Sequence, residues 1–119
     1  MKYHLSKMEQ EIMDLLWERR KWMAGAGVWE YLNENGRECK RTTVNTYLTR
    51  MTEKGLLVKD GTKYIYRYNR EEFENKQANE ILEGFFGGSL ARFLAALSGG
   101  KGIGEKEAEE LKDYLNRQE

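Results

Sequence analysis

Short hydrogen-bonding side chains and one cation recur at helical spacing between positions 42 and 50. Thr43, Thr46 and Arg50 fall at i, i+3 and i+7, so they share one side of a helix. Three further polar residues lie beside them, namely Thr42, Asn45 and Thr49. A helix face that meets only water would more often carry Glu, Lys and Gln, which have higher helix propensity. Because Arg, Asn and Thr can bond to base edges in the major groove of B-DNA, this face predicts a nucleic-acid contact.

Cations flank the same segment and a turn that follows it. Lys40 and Arg41 begin the expected helix, and Lys59 and Lys63 lie on either side of Asp60-Gly61. We expect these cations to contact phosphates, which position a protein without reading sequence. For any single lysine a solvated position is an equally good interpretation, since most charged residues are exposed. The predicted DNA-binding set is Lys40, Arg41, Thr42, Thr43, Asn45, Thr46, Arg50, Lys59 and Lys63.

Three helices must position this set. Ser6 and Glu9 have the spacing of a capping pair, which predicts a helix from about residue 5 to residue 21. A short second helix is expected within residues 28–36, where it ends in Asn and Gly residues that tolerate a left-handed backbone. The third helix, residues 41–54, carries the polar face. Its other side is apolar, with Val44, Leu48 and Met51.

Asp60-Gly61 also predicts a tight hairpin turn. It joins the run Leu56-Leu57-Val58-Lys59 to the run Lys63-Tyr64-Ile65-Tyr66-Arg67-Tyr68. Asp-Gly is favoured between β-prone runs because both central residues of the usual hairpin turn need positive φ. Three helices followed by a hairpin is the order of a winged helix-turn-helix, which we assign to residues 1–69.

Residues 70–119 predict three further helices with narrow apolar stripes. Asn69 and Glu72 have capping-pair spacing at the first, Gly87-Gly88 separates it from the second, and a glycine-rich joint at residues 98–104 precedes the last. Such stripes cannot close a separate core of normal size, so we expect them to pack against a second copy. The expected fold is mainly α with a small β-wing, a winged helix-turn-helix domain followed by a C-terminal helical dimerisation region. The predicted dimerisation residues are Phe73, Ile81, Leu82, Phe85, Phe86, Leu90, Phe93, Leu94, Leu97, Leu111, Tyr114 and Leu115.

The net charge of zero hides an asymmetry between these two parts. Residues 1–69 carry 13 Lys and Arg against 9 Asp and Glu, whereas residues 70–119 carry 7 against 11. The N-terminal part is therefore the one suited to a polyanion.

No run reaches the roughly 18 to 20 apolar residues of a membrane span, and no secretory signal is present, so a cytoplasmic protein without membrane insertion is expected.

Catalytic and metal sites are not expected in this sequence. The single cysteine, Cys39, cannot form an intrachain disulfide or a Cys-pair metal site. His4 has no Cys or His partner at ligand spacing. Because no Ser/His/Asp, paired-carboxylate or phosphate-loop arrangement occurs either, we expect no enzyme activity, no metal and no cofactor.

The ordered series of motifs resembles the penicillinase-repressor family. Six segments and the acidic last helix carry the resemblance: Leu5-Ser6-Lys7-Met8-Glu9, Ile12-Met13 with Leu16-Trp17, Arg41-Thr42-Thr43-Val44-Asn45-Thr46-Tyr47-Leu48-Thr49-Arg50-Met51, Lys54-Gly55, Tyr64-Ile65-Tyr66 and Gly88-Ser89-Leu90. The resemblance implies a homodimer that binds an inverted-repeat operator in double-stranded DNA, with the third helix in the major groove and the wing on the backbone. It also implies DNA contacts at the positions matching Thr42, Thr43, Asn45, Thr46 and Arg50.

This chain departs from the family pattern at several positions. Lys40-Arg41 stands where relatives often have Ser-Pro, and Asn45 stands where a basic residue is common, which leaves the operator sequence open. Ala96-Leu97 occupies the place of the Asn-Phe bond that is cut in β-lactam-responsive members, and the Cys-x-Cys motifs of copper-responsive members are absent. The inducing signal, including any membrane sensor-protease partner, therefore stays open.

An alternative function is a winged helix used only for protein assembly, with the third helix docked on a partner. Such a helix would present aromatic or aliphatic anchors rather than Thr, Asn and Arg. The composition of this face therefore favours DNA over a protein partner.

Overall fold

The computed structural model describes residues 2–99 and 104–117. Within these ranges the chain is mainly helical with a small three-stranded antiparallel sheet, which confirms the expected fold class. It forms two compact units, Met1–Gln77 and Ala78–Glu119. In chain order the elements are α1 (Lys7–Arg19), β1 (Met23–Ala24), α2 (Gly25–Glu34), α3 (Arg41–Glu53), β2 (Leu57–Asp60), β3 (Lys63–Tyr66), α4 (Arg70–Phe86), α5 (Leu90–Leu97) and α6 (Glu105–Arg117).

The predicted capping pair opens α1. The Ser6 hydroxyl accepts the Glu9 N–H at 3.2 Å, and a carboxylate oxygen of Glu9 accepts the Ser6 N–H at 2.9 Å. These reciprocal bonds satisfy donors that have no partner within the helix. The helix ends two residues earlier than expected, because Arg20 adopts a left-handed backbone (φ 54°) and its N–H donates to the Leu16 carbonyl.

The first three helices bury their apolar sides in a common core. Ile12 and Leu16 of α1, Val28 of α2 and both Val44 and Leu48 of α3 are completely inaccessible to solvent. Removing such side chains from water is the main favourable term in folding. Since α3 has only one apolar side, its burial turns the other side outward.

The wing forms in the predicted part of the chain and gains a third strand. Its turn is centred on Gly61-Thr62 and not on the predicted Asp60-Gly61, because Asp60 is the last residue of β2, pairs with Lys63 and has no positive φ. Strands β2 and β3 pair across the turn, with Leu57 opposite Tyr66 and Asp60 opposite Lys63. The order in the sheet is β1-β3-β2, because Met23 and Ala24 pair with the outer edge of β3. Strand β1 was not predicted, since its two residues are too few to show an alternating pattern.

Helix α4 begins with the predicted Asn69 and Glu72 capping pair, whose side chains accept each other's backbone N–H groups at 2.8 and 3.1 Å. Its first turn packs on the N-terminal core. Phe73 is only 2% exposed, and its ring lies 5.7 Å from that of Tyr3 and 5.3 Å from that of Trp17. We therefore remove Phe73 from the predicted dimerisation set, because its side chain is already enclosed within its own chain.

The C-terminal unit keeps its apolar side chains accessible. Gly87 and Gly88 separate α4 from α5 as expected, both with positive φ. The Ser89 hydroxyl accepts the Arg92 N–H at the start of α5, and the rings of Phe86 and Phe93 meet edge to face at 5.3 Å. No described side chain of α5 or α6 is buried. Positions 100–103 of the predicted glycine-rich joint lie outside the described residues.

Phe73→Ala should lower the free energy of unfolding by about 3 to 5 kcal/mol, since it leaves a cavity between α1 and α4. Chemical denaturation measures this decrease. Glu74→Ala, at the neighbouring exposed position of the same helix, is the control and should change stability little. A decrease that vanished as protein concentration rose would instead place Phe73 in a dimer interface.

Candidate nucleic-acid interface

The polar side of α3 is open to solvent along its length. All the α3 members of the predicted set are exposed, namely Arg41, Thr42, Thr43, Asn45, Thr46 and Arg50. Thr49 is exposed beside them. Val44, Leu48 and Met51, on the opposite side, are completely buried. The third helix therefore presents seven accessible side chains that can bond to a ligand.

The start of α3 is electropositive. Its N-cap residue is Lys40, whose side chain cannot accept a hydrogen bond and makes none to the first turn. The N–H groups of that turn thus have no side-chain acceptor, and Lys40 and Arg41 add two full charges to the positive end of the helix dipole. An anion is favoured at this end.

Side-chain bonds fix the turn that leads into α3. The Cys39 carbonyl accepts the indole N–H of Trp29 at 2.9 Å and a weaker bond from the Asn33 amide at 3.4 Å. Arg37 connects the same loop to α1, because its guanidinium donates two hydrogen bonds to the Glu11 carboxylate, at 2.8 and 2.6 Å. The backbone carbonyl of Cys39 therefore has a structural role in holding this turn.

An ion pair fixes the other end of α3. Lys54, the C-cap residue, donates to the second carboxylate oxygen of Glu9 at 3.0 Å. Burial by itself would raise the pKa of Glu9, but the hydrogen bonds from Ser6 and Lys54 together lower it below its ordinary value of 4.5. Glu9 therefore stays ionised while its side chain is only 8% exposed. The spacing of Glu9 from Ser6 predicted only the cap, and no local pattern indicated this long-range interaction with Lys54.

The wing places two lysines beside its turn. Lys59 and Lys63 are both exposed, and the Lys59 ammonium lies 5.6 Å from the centre of the Tyr64 ring. Gly61 provides the positive φ (62°) that the turn requires. Both cations are thus presented next to a tight, exposed loop.

An open groove joins α3 to the wing and to the start of α2. Among the predicted residues it brings together Arg41, Asn45 and Lys59. The others lie outside its lining. The groove adds residues that the sequence analysis did not assign to the site, including Gly25, Ala26 and Thr62. Gly25 and Ala26 belong to a run of small residues, Ala24-Gly25-Ala26-Gly27, which is a signal in the sequence that could have located them.

Among the residues that the structure describes, the cations of this surface have no acidic partner. In residues 2–99 and 104–117, the ion pairs join Arg37 to Glu11, Lys54 to Glu9 and Arg70 to Asp14. None of them involves Lys40, Arg41, Arg50, Lys59 or Lys63. The positive charge of the surface therefore remains available to an anionic ligand.

A three-helix core, a β-wing and a polar outer face on the third helix define a winged-helix protein. The family model described as penicillinase repressor matches residues 5–117, nearly the whole chain. The chain belongs to the penicillinase repressor family, which consists of transcriptional regulators rather than enzymes, and a repressor role follows from this membership. No curated protein matches the chain.

Two further properties bear on the class of protein. Among the helices that the structure describes, none combines the length and apolar character needed to cross a membrane. Within the same residues, no three or more His, Cys, Asp or Glu side chains are grouped so that they could hold a metal ion.

Glu9→Gln should reduce the dependence of stability on pH. A glutamine oxygen can still accept the Ser6 N–H, so the cap survives while the charge is removed. Since the folded-state pKa of Glu9 lies below 4.5, its contribution is complete above that pH and is lost as pH falls through the folded-state pKa. Denaturation at pH 7 and at several values below 4.5 should therefore show a smaller acid-induced destabilisation in the variant than in the wild type.

Glu18→Gln, which removes an exposed carboxylate from the same helix, controls for the change in net charge. Identical acid-induced destabilisation of the wild type and Glu9→Gln would contradict a stabilising ion pair between Glu9 and Lys54.

Proposed function

We propose that this repressor acts as a homodimer on an inverted-repeat DNA operator, with α3 in the major groove and the wing on the phosphate backbone. The observation that carries the proposal is the exposed side of α3, where Thr, Asn and Arg side chains adjoin cations that have no acidic partner in the described chain. B-DNA's major groove is wide enough for an α-helix and offers the bonding groups that these side chains match.

The residues of this surface divide into two roles. Thr42, Thr43, Asn45 and Thr46 lie on the N-terminal half of α3, the half that reaches base edges in a helix-turn-helix. Arg50, one turn further on, can reach a base or a phosphate. Positioning contacts to phosphates are assigned to the four lysine and arginine residues at the helix start and the wing: Lys40, Arg41, Lys59 and Lys63.

The accessible apolar surface of the C-terminal unit supports self-association. Phe85 is 65% exposed, Leu97 is 73% exposed, and Tyr114 and Leu115 each exceed half exposure. A concentration of large apolar side chains that find no cover in their own unit is typical of an interface. The proposed dimerisation set is Ile81, Leu82, Phe85, Phe86, Leu90, Phe93, Leu94, Leu97, Leu111, Tyr114 and Leu115.

Dimerisation would explain the two-part design of the chain. A two-fold symmetric dimer presents two copies of α3, so its operator should consist of two half-sites related by the same symmetry. We divide the chain accordingly into a winged-helix DNA-binding domain, residues 1–69, and a helical dimerisation region, residues 70–119, although the first turn of α4 packs on the N-terminal core.

Selection of bound sequences from random duplex DNA tests the proposal. It should recover a two-fold symmetric site, and Arg50→Ala and Asn45→Ala should each weaken binding by about 1 to 3 kcal/mol for each half-site if they read bases. Titrations against the selected site and a scrambled duplex measure the difference. Equal weakening on both duplexes would reject base reading, and no binding to any duplex at low ionic strength would reject the function.

Lys63→Ala is the matched comparison for these two variants. It should weaken binding to the selected and the scrambled duplex alike, because each subunit of the dimer neutralises one phosphate fewer. The slope of log K against log salt concentration should then become shallower by about 1.8, which is about 0.9 for each subunit. An unchanged slope would show that the wing lysine is only solvated.

Leu97→Glu should shift the protein towards monomer, because it places a charge in the proposed apolar interface. Sedimentation equilibrium measures the dissociation constant. Ala95→Glu adds the same charge at an exposed position of α5 outside the apolar stripe and should leave the constant nearly unchanged. Equal effects of the two substitutions would reject the stripe as the interface.

A further inference from the structure

Gly25 lies where three elements of the DNA-binding surface meet. It is the first residue of α2 and is buried, and its N–H donates to the Thr62 carbonyl of the wing turn at 3.3 Å. A Cβ atom added to Gly25 would lie 3.2 Å from Oδ1 of Asn45, 3.5 Å from Cδ1 of Leu48 and 3.8 Å from Cε2 of Tyr64. The position thus borders α3 and β3 at once.

Only one of these three neighbours would have to move. Separations of 3.5 and 3.8 Å are ordinary carbon contacts, so Leu48 and Tyr64 can accept a methyl group where they stand. The 3.2 Å approach to Asn45 is tighter than normal, and the Asn45 carboxamide is exposed and rotatable. The missing side chain of Gly25 therefore leaves room specifically for the Asn45 carboxamide.

We propose that Gly25 is a specificity-determining positioning residue: because it has no side chain, the Asn45 carboxamide can lie against the start of α2 as it meets a base pair, an orientation that a methyl group at position 25 would disfavour. This inference rests on the proposed function, because it assigns a cause to the orientation of one base-reading side chain. Bonds to base edges depend on direction, so a small rotation of the carboxamide changes which base it matches.

The backbone of Gly25 gives no other reason for glycine. Its φ is outside the positive range, so alanine can adopt the same conformation. Alanine also has the higher helix propensity and loses less freedom on folding. Gly25→Ala should therefore keep or raise the thermal midpoint, which separates an effect on recognition from an effect on folding.

Gly27→Ala provides a matched control within the same helix. Gly27 also lacks a positive φ, and its added Cβ would meet only the flexible end of Met23, at 3.8 Å from Cε. Both substitutions replace glycine with the better helix former, but only the methyl group at position 25 makes a close contact with Asn45.

The experiment measures binding of the wild type, Gly25→Ala and Gly27→Ala to the selected site and to all its single base-pair variants. Discrimination is the ratio of the binding constants for the selected site and for a single base-pair variant. We expect Gly25→Ala to reduce this ratio by about fivefold or more at the base pair where Asn45→Ala also reduces it. Fivefold is the lower end of the discrimination that one good base contact supplies. Gly27→Ala should keep the wild-type preference.

A double-mutant cycle tests whether Gly25 acts through Asn45. Adding Gly25→Ala to Asn45→Ala should change the preference by less than about twofold, because the side chain that it displaces is already gone. If Gly25 had only a structural role, Gly25→Ala would weaken binding to all duplexes equally, and it would do so in the Asn45→Ala background as well. That result would overturn the inference.

A second measurement needs no DNA. The side-chain amide signals of Asn45 in a ¹H–¹⁵N spectrum, assigned by their absence in Asn45→Ala, should shift in Gly25→Ala and stay in place in Gly27→Ala. Unmoved signals would overturn the inference even if the protein binds DNA. Failure of the wild type to bind any duplex would instead reject the proposed function, so the two failures are distinguishable.

Discussion

The arrangement of the N-terminal unit depends on the burial of one side of α3. Val44, Leu48 and Met51 are completely enclosed by the core that α1 and α2 complete. Because a helix has two sides and only one of them is apolar, this burial decides which residues face outward. The threonines, Asn45 and Arg50 are exposed as a direct consequence. Without the hydrophobic core, their helical spacing would have no fixed orientation.

Polar interactions convert this burial into a fixed geometry. The Glu9–Lys54 ion pair holds the C-terminal end of α3, and the Trp29 bond to the Cys39 carbonyl holds the turn before it. Strand β1 lies just before α2 and pairs with β3, so it also fixes the position of the wing. Elements of the proposed DNA-binding surface that are far apart in the sequence are thus held together by defined contacts, as a site of precise geometry requires.

The two units of the chain divide the physical tasks. The N-terminal unit closes its own core, and among its described residues the cations of the α3 and wing surface have no acidic partner, whereas the C-terminal unit leaves large apolar side chains such as Phe85 and Leu97 exposed. The first property suits a polyanion and the second suits a second copy of the chain. Phe73 helps to close the N-terminal core, although it lies on α4, the helix that continues into the second unit.

Local sequence determined much of this protein, since the caps at Ser6 and Asn69, the glycine of the hairpin turn and the two sides of α3 all depend on residues a few positions apart. These signals predicted the helices, the hairpin, the fold class and the exposure of the polar α3 residues. Only the tertiary structure decided the pairing of β1, the ion pair of Glu9 with Lys54 and the enclosure of Phe73. It also decided the closeness of Gly25 to Asn45. Each of these four features brings together residues that are distant in the chain. The spacing of residues in the sequence does not predict such contacts, because they form only when the hydrophobic core has assembled.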